Sequence, residues 1–188
     1  AMVRLLEKSL DEGGFGLTTG LAYQPGKYSA CEEVTALARA TAAKGGFSAT
    51  HMRSEGDKLL EAIDEVFDLV KETGIHTEIS HLKTSGKENW KKLPEVLNKI
   101  ESMRNAGYHV YADRYPYLSA GTDLDILLPD WAAAGGQPAI LARLANPTET
   151  KRIIDELNAT TAHRAAEIMV GGTWHETTKP LSGKTIQA

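Results

Sequence analysis

The 188-residue chain carries 41% hydrophobic and 24% charged side chains, the balance of a soluble globular domain able to bury a sizeable core. Its 21 basic and 25 acidic residues are intermixed and sum to a net charge of −4, so no basic face marks it for nucleic acid. No run approaches the roughly 20 apolar residues that span a bilayer, and residues 1–7 lack the apolar core of a signal peptide; the expected compartment is the cytoplasm.

Short β-branched or aromatic runs recur at residues 15–19, 47–51, 76–81 and 109–113, each after a glycine-containing turn and before a longer amphipathic stretch. Their starts lie about 30 residues apart, the length of one strand–helix–strand step. In chain order, a helix is expected over 30–43 behind Ser29 as cap candidate. A second spans 55–73, where Leu59, Leu60, Ile63, Val66, Phe67 and Val70 keep helical spacing and Gly74 suits a C-terminal cap. A third runs over 90–106 with Leu93, Val96, Leu97, Ile100 and Met103 facing inward. Such alternation implies a parallel sheet, either doubly wound or part of a (β/α)₈ barrel. The pattern breaks over 123–158, where Pro129, Gly135, Gly136 and Pro147 interrupt short helical pieces, and a strand is expected again at 167–170.

Cys31 is the single cysteine, which excludes an internal disulfide framework and a cysteine-only zinc cluster. Any metal must rest on histidine and carboxylate. His51 closes the second strand run and His81 the third, which sets two imidazoles at the C-terminal edge of neighbouring parallel strands, where barrel active sites are built. Such a pair suits a zinc site that keeps a position for water; the other reading has each histidine hydrogen-bonded to loop backbone. A cation follows each histidine by two positions, Arg53 and Lys83, and either can hold an anionic substrate. As ordinary loop charges, Arg53 would instead pair with Glu55 or Asp57.

The runs Gly16-Leu17-Thr18-Thr19-Gly20-Leu21-Ala22-Tyr23-Gln24-Pro25-Gly26, Thr50-His51-Met52-Arg53-Ser54-Glu55-Gly56, Ile79-Ser80-His81-Leu82-Lys83 and Asp113-Arg114-Tyr115-Pro116-Tyr117 resemble successive signatures of the D-aminoacylase family. These are N-acyl-D-amino-acid deacylases of the amidohydrolase superfamily. The likeness continues through Leu127-Leu128-Pro129-Asp130-Trp131, similar to the start of the family's inserted lid, to Gly183-Lys184-Thr185.

The resemblance implies a partial (β/α)₈ barrel that uses zinc to hydrolyse the amide of an N-acyl-D-amino acid. It implies His51 and His81 as metal ligands from the fifth and sixth strands, Tyr23 beside the scissile carbonyl, and Lys83 and Tyr115 on the substrate carboxylate. The family follows Tyr-Pro-Tyr with a small-residue run ending in Ser-Thr, whereas this chain reads Leu118-Ser119-Ala120-Gly121-Thr122, so Ser119 and Thr122 are both candidates for the carboxylate contact. Three family parts have no counterpart in the sequence: a first-strand His-x-His pair, a metal-binding cysteine loop, and the aspartate that serves as general acid/base. The expectation is therefore a fragment lacking both ends, inactive by itself, that self-associates through open sheet edges. Cys31 lacks the cysteine loop's neighbours and is expected to be structural, as are the histidines His76, His109, His163 and His175; Asp113 is expected to be structural or to support a metal ligand from behind.

The implied organisation is four β/α units over 1–117, a helical insertion or lid over 118–162, and a return to the barrel over 163–188. Two rivals remain. A hydantoinase- or dihydroorotase-like cyclic amidase would share the barrel, but it holds a carboxylated lysine where this chain has Thr18-Thr19-Gly20. A catalytically inactive excised domain is the rival from another class.

Overall fold

A computed structural model describes residues 1–187. The chain divides into two compact units, Ala1–Pro116 and Tyr117–Ala188.

The first unit is a four-stranded parallel sheet with strands β1 (Gly16–Gly20), β2 (Phe47–His51), β3 (Thr77–Ile79) and β4 (Val110–Ala112), in the spatial order β1-β2-β3-β4. The helices between them are α2 (Cys31–Ala43), α3 (Leu59–Thr73) and α4 (Leu93–Asn105); α1 (Met2–Asp11), which the sequence pattern did not disclose, precedes the sheet and packs on α2. The strand order never reverses. A doubly wound sheet reverses its order at a switch point and carries helices on both faces, whereas a run of same-handed crossovers curls toward a barrel.

Leu17, Thr19, Ser48, Thr50 and Thr77 line the space beneath α2 and α3 together with Val34, Ala38 and Val66. Side chains alternate along a strand, so Thr18, Ala49, His51 and Glu78 belong to the opposite face. The helix-side layer is continuous: Ile63, Val66, Phe67 and Val70 of α3 join Ile79, Val110, Val96, Ile100 and Met103 in one buried cluster. Two hydroxyl pairs tie neighbouring strands within it, Thr19 to Thr50 at 2.8 Å and Ser48 to Thr77 at 2.7 Å. Gly16 permits the β1–β2 approach, because a Cβ there would sit 1.9 Å from the Phe47 carbonyl oxygen.

Several expected details change. Helix α3 begins at Leu59 rather than 55, which leaves Glu55 on non-helical backbone; Gly74 closes the helix at φ 68° in the left-handed conformation, as a C-terminal cap requires. On α4 only Val96, Ile100 and Met103 are buried, while Leu93 and Leu97 are 41% and 46% exposed, because they lie at the margin of that narrow stripe. Ser29 does not cap α2: its hydroxyl donates to the Gly26 carbonyl at 2.7 Å, and Ala30 holds the cap position. Strand β3 ends at Ile79 because the chain turns at His81.

The second unit is helical, with α5 (Asp130–Ala133), α6 (Gly136–Ala145) and α7 (Pro147–Thr160). Asn146 caps α7, its side-chain oxygen accepting from the Thr148 and Glu149 amides. The strand expected at 167–170 is reduced to one antiparallel bridge, Met169 with Thr185. No helix among the described residues is long and apolar enough to cross a membrane.

Candidate metal centre

His51 is the last residue of β2, and its carbonyl accepts the Leu21 amide at 2.9 Å, so the β1–β2 ladder fixes its backbone to the last residue. His81 stands two residues beyond β3 with φ 43°, a positive value that non-glycine residues rarely adopt. Two groups of Asp113 hold the chain there. Its carboxylate accepts the His81 amide, and its carbonyl accepts the Leu82 amide at 3.0 Å. The turn swings the His81 side chain onto its neighbour: Nδ1 of His51 and Nε2 of His81 are 3.0 Å apart, with the rings nearly edge to face at 4.5 Å between centroids.

Among the described residues, His51, His81 and Glu55 form a group whose candidate ligand atoms all lie within 4.8 Å of one another. Glu55 Oε1 is 3.0 Å from His81 Nδ1 and 3.9 Å from His51 Nε2. Lys83 donates to the same oxygen and to the His81 carbonyl at 2.9 Å, with its Nζ 3.0 Å from His81 Nδ1. The side chains of Glu55 and Lys83 are only 13% and 12% exposed, so their charges meet largely out of water. Burial is the main influence holding the His51 imidazole below its ordinary range; Glu55 opposes the shift, and His81 and Lys83 add to it. Burial thus favours the neutral ring, the form that a metal requires. Both imidazoles are engaged by each other and by charged side chains rather than by loop backbone.

The other sequence candidates divide. The Tyr23 ring packs on His51 at 4.8 Å between centroids, and the Tyr115 ring lies 5.7 Å from Lys83 Nζ and 6.5 Å from the His81 ring. Arg53 is occupied elsewhere. Its guanidinium is bidentate on Glu65 at 2.9 and 2.7 Å and donates to the Lys27 and Ser29 carbonyls at 2.7 and 3.2 Å. Its ion-pair partner is therefore Glu65 on α3, not Glu55 or Asp57. Ser119 lies in the second unit. Cys31 is free and exposed, 3.5 Å from Glu65. Glu55 was the residue that sequence reasoning overlooked as part of the centre, although it stands four positions after His51 in the same quoted run.

The facing pair His51 and His81 fits zinc. Two nitrogens each about 2.0–2.1 Å from one ion stand roughly 2.9–3.4 Å apart at angles near 90–110°, and the facing nitrogens are 3.0 Å apart.

No protein-family model matches the chain. Over 132 residues, 70% of its length, it is 42% identical to an N-acyl-D-glutamate deacylase of Alcaligenes xylosoxydans xylosoxydans. It is 33% identical over 159 residues, 85% of its length, to a D-aminoacylase of the same organism. It spans 26% and 32% of those two proteins, respectively. The crystal structure of N-acyl-D-glutamate deacylase from Bordetella bronchiseptica, complexed with zinc and a phosphonate mimic of the tetrahedral intermediate, matches 98% of the chain and 31% of that protein, with a TM-score of 0.72 and 28% identity. The fold is accordingly a partial (β/α)₈ barrel. By sequence and by fold, this chain is a homologue of the D-aminoacylases, a family of amidohydrolases, along about a quarter to a third of their length.

Proposed function

We propose that the chain forms part of a zinc-dependent amidohydrolase that cleaves the amide of N-acyl-D-amino acids, releasing a D-amino acid and a carboxylic acid. The observation that carries this reading is the 3.0 Å approach of His51 Nδ1 to His81 Nε2 at the C-terminal edge of a parallel sheet, in a chain homologous to deacylases. His51 and His81 would hold the metal. When bound, zinc supplies Lewis-acid polarisation of the acyl carbonyl.

The chain's own residues do the rest of the binding. Lys83 receives the substrate α-carboxylate, with Tyr115 beside it, and the Tyr23 hydroxyl donates to the carbonyl oxygen as negative charge develops there. Arg53, held by Glu65, serves substrate binding by fixing the loop after β2. The two carboxylates beside the histidines are committed, Glu55 to Lys83 and Asp113 to the His81 amide. General acid/base work is assigned, as the resemblance to the D-aminoacylases implies, to an aspartate that has no counterpart in these 188 residues.

The partner is a small molecule, not nucleic acid or a membrane, and open sheet edges support self-association. One free cysteine suits a reducing compartment, and we assign the cytoplasm. A cyclic amidase is disfavoured by Thr18-Thr19-Gly20, where that reading needs a lysine.

The test is an amide chemical-shift titration of the zinc-loaded chain with N-acetyl-D-glutamate. The expected result is shifts at His81, Lys83 and Tyr115 that Lys83→Ala removes. A titration that leaves all three unmoved overturns the reading.

A further inference from the structure

Each imidazole of the centre turns one nitrogen toward the other ring, His51 through Nδ1 and His81 through Nε2. The nitrogens left over are His51 Nε2 and His81 Nδ1. Glu55 Oε1 stands 3.0 Å from His81 Nδ1, within hydrogen-bond reach, and 3.9 Å from His51 Nε2, beyond it. The same oxygen accepts from the Lys83 ammonium.

We propose that Glu55 is the positioning residue of this centre: a carboxylate that orients the His81 imidazole from behind and holds Lys83 beside it, rather than a third metal ligand. The inference rests on the zinc reading above. A neutral imidazole that offers one nitrogen to a metal carries its proton on the other. With the facing nitrogens as ligands, the N–H groups are His81 Nδ1–H and His51 Nε2–H, and the one within reach of Glu55 is His81 Nδ1–H. Two groups lie 3.0 Å from His81 Nδ1, namely Lys83 Nζ and Glu55 Oε1. An ammonium has donors only, so the carboxylate is the acceptor. Without it, Lys83 donates to His81 Nδ1 unopposed, the imidazole proton moves to Nε2, and the nitrogen that faces His51 is blocked.

From the loop after β2, Glu55 thereby serves two jobs of the segment after β3. It sets the tautomer of His81 and it fixes the cation meant for the substrate carboxylate. Glu55→Gln keeps the shape and removes the charge, which makes it the informative change.

The experiment is calorimetric titration of the 188-residue chain with zinc chloride at pH 8, for the unmodified chain, Glu55→Gln, His51→Ala and His81→Ala. It is paired with long-range ¹⁵N–¹H spectra of the imidazoles, and with thermal melts to confirm that each variant folds. The expected result is one zinc per chain, lost in both histidine variants and bound about 10–100-fold more weakly by Glu55→Gln. In metal-free Glu55→Gln, the His81 proton is expected to have moved further toward Nε2 than in the unmodified chain. Unmodified affinity and tautomer in Glu55→Gln, with zinc still lost in the histidine variants, overturns the role of Glu55 and leaves the zinc reading standing. Weakened affinity without a tautomer change makes Glu55 a direct ligand and also overturns the proposal. An unmodified chain that binds no zinc, or histidine variants that bind it normally, overturns the zinc reading and this inference with it.

Discussion

The carboxylate of Asp113, one residue past β4, accepts the backbone amide of His81, one strand away, and holds that histidine at φ 43°. A non-glycine residue in this conformation costs about 1 kcal/mol or more. The strain is borne where the chain must turn the imidazole toward His51. His81→Gly is therefore expected to be more stable than His81→Ala by about 1 kcal/mol, since glycine adopts this φ freely. Asp113→Ala should cost about 0.5–1.5 kcal/mol by removing this exposed hydrogen bond to the His81 amide. Urea unfolding of the three variants measures both; equal stability of the glycine and alanine variants would remove the strain argument.

The bidentate pair between Arg53 and Glu65 joins the loop after β2 to α3, and two further hydrogen bonds tie it to the Lys27 and Ser29 carbonyls. Hydrogen bonding from Arg53 is the largest influence on the Glu65 carboxyl and holds it below its usual value of 4.5. The sign follows directly: a carboxyl with a depressed folded-state pKa stabilises the fold fully above about pH 4.5, and that contribution is lost as pH falls through the lower folded value. Glu65→Gln should flatten this acid limb. Arg53→Lys, which loses the fork geometry, should cost about 1–3 kcal/mol at neutral pH. Denaturation midpoints between pH 3 and pH 7 check both, and an unchanged acid limb in Glu65→Gln would exclude the pair as its source.

Much of this architecture is legible in the sequence, for reasons that lie in particular residues. Strand β2 was marked by β-branched and aromatic residues up to His51, and α3 by an apolar stripe wide enough to survive a four-residue error in its start. Leu93 and Leu97 misled, because helical spacing alone does not reveal how narrow the buried stripe of α4 is. Arg53 had acidic neighbours two and four positions on, yet its partner came from twelve residues away on α3. Glu55 escaped notice because its part in the centre depends on the turn at His81, which no local pattern announces.

The sheet order leaves β1 and β4 as its outermost strands, each with one hydrogen-bonding edge outside the four-stranded ladder. Self-association through such an edge is expected at micromolar concentration. Sedimentation velocity over a concentration series is the check, and a monomer at every concentration would count against it.

The chain alone, supplied with zinc, is expected to show no turnover of N-acetyl-D-amino acids, because both carboxylates next to the histidines are already engaged and cannot serve as the base. The assay is release of free D-amino acid. Turnover that His81→Ala abolishes would mean that Glu55 or Asp113 leaves its partner and carries the proton.

His51 and His81 are expected to hold one zinc ion between them. The most direct measurement is a crystal structure of the chain grown with zinc, with diffraction recorded on either side of the zinc absorption edge. The predicted result is a single strong anomalous peak about 2.0–2.1 Å from both His51 Nδ1 and His81 Nε2. A map with no peak between the two rings, or with zinc bound only elsewhere, would contradict it.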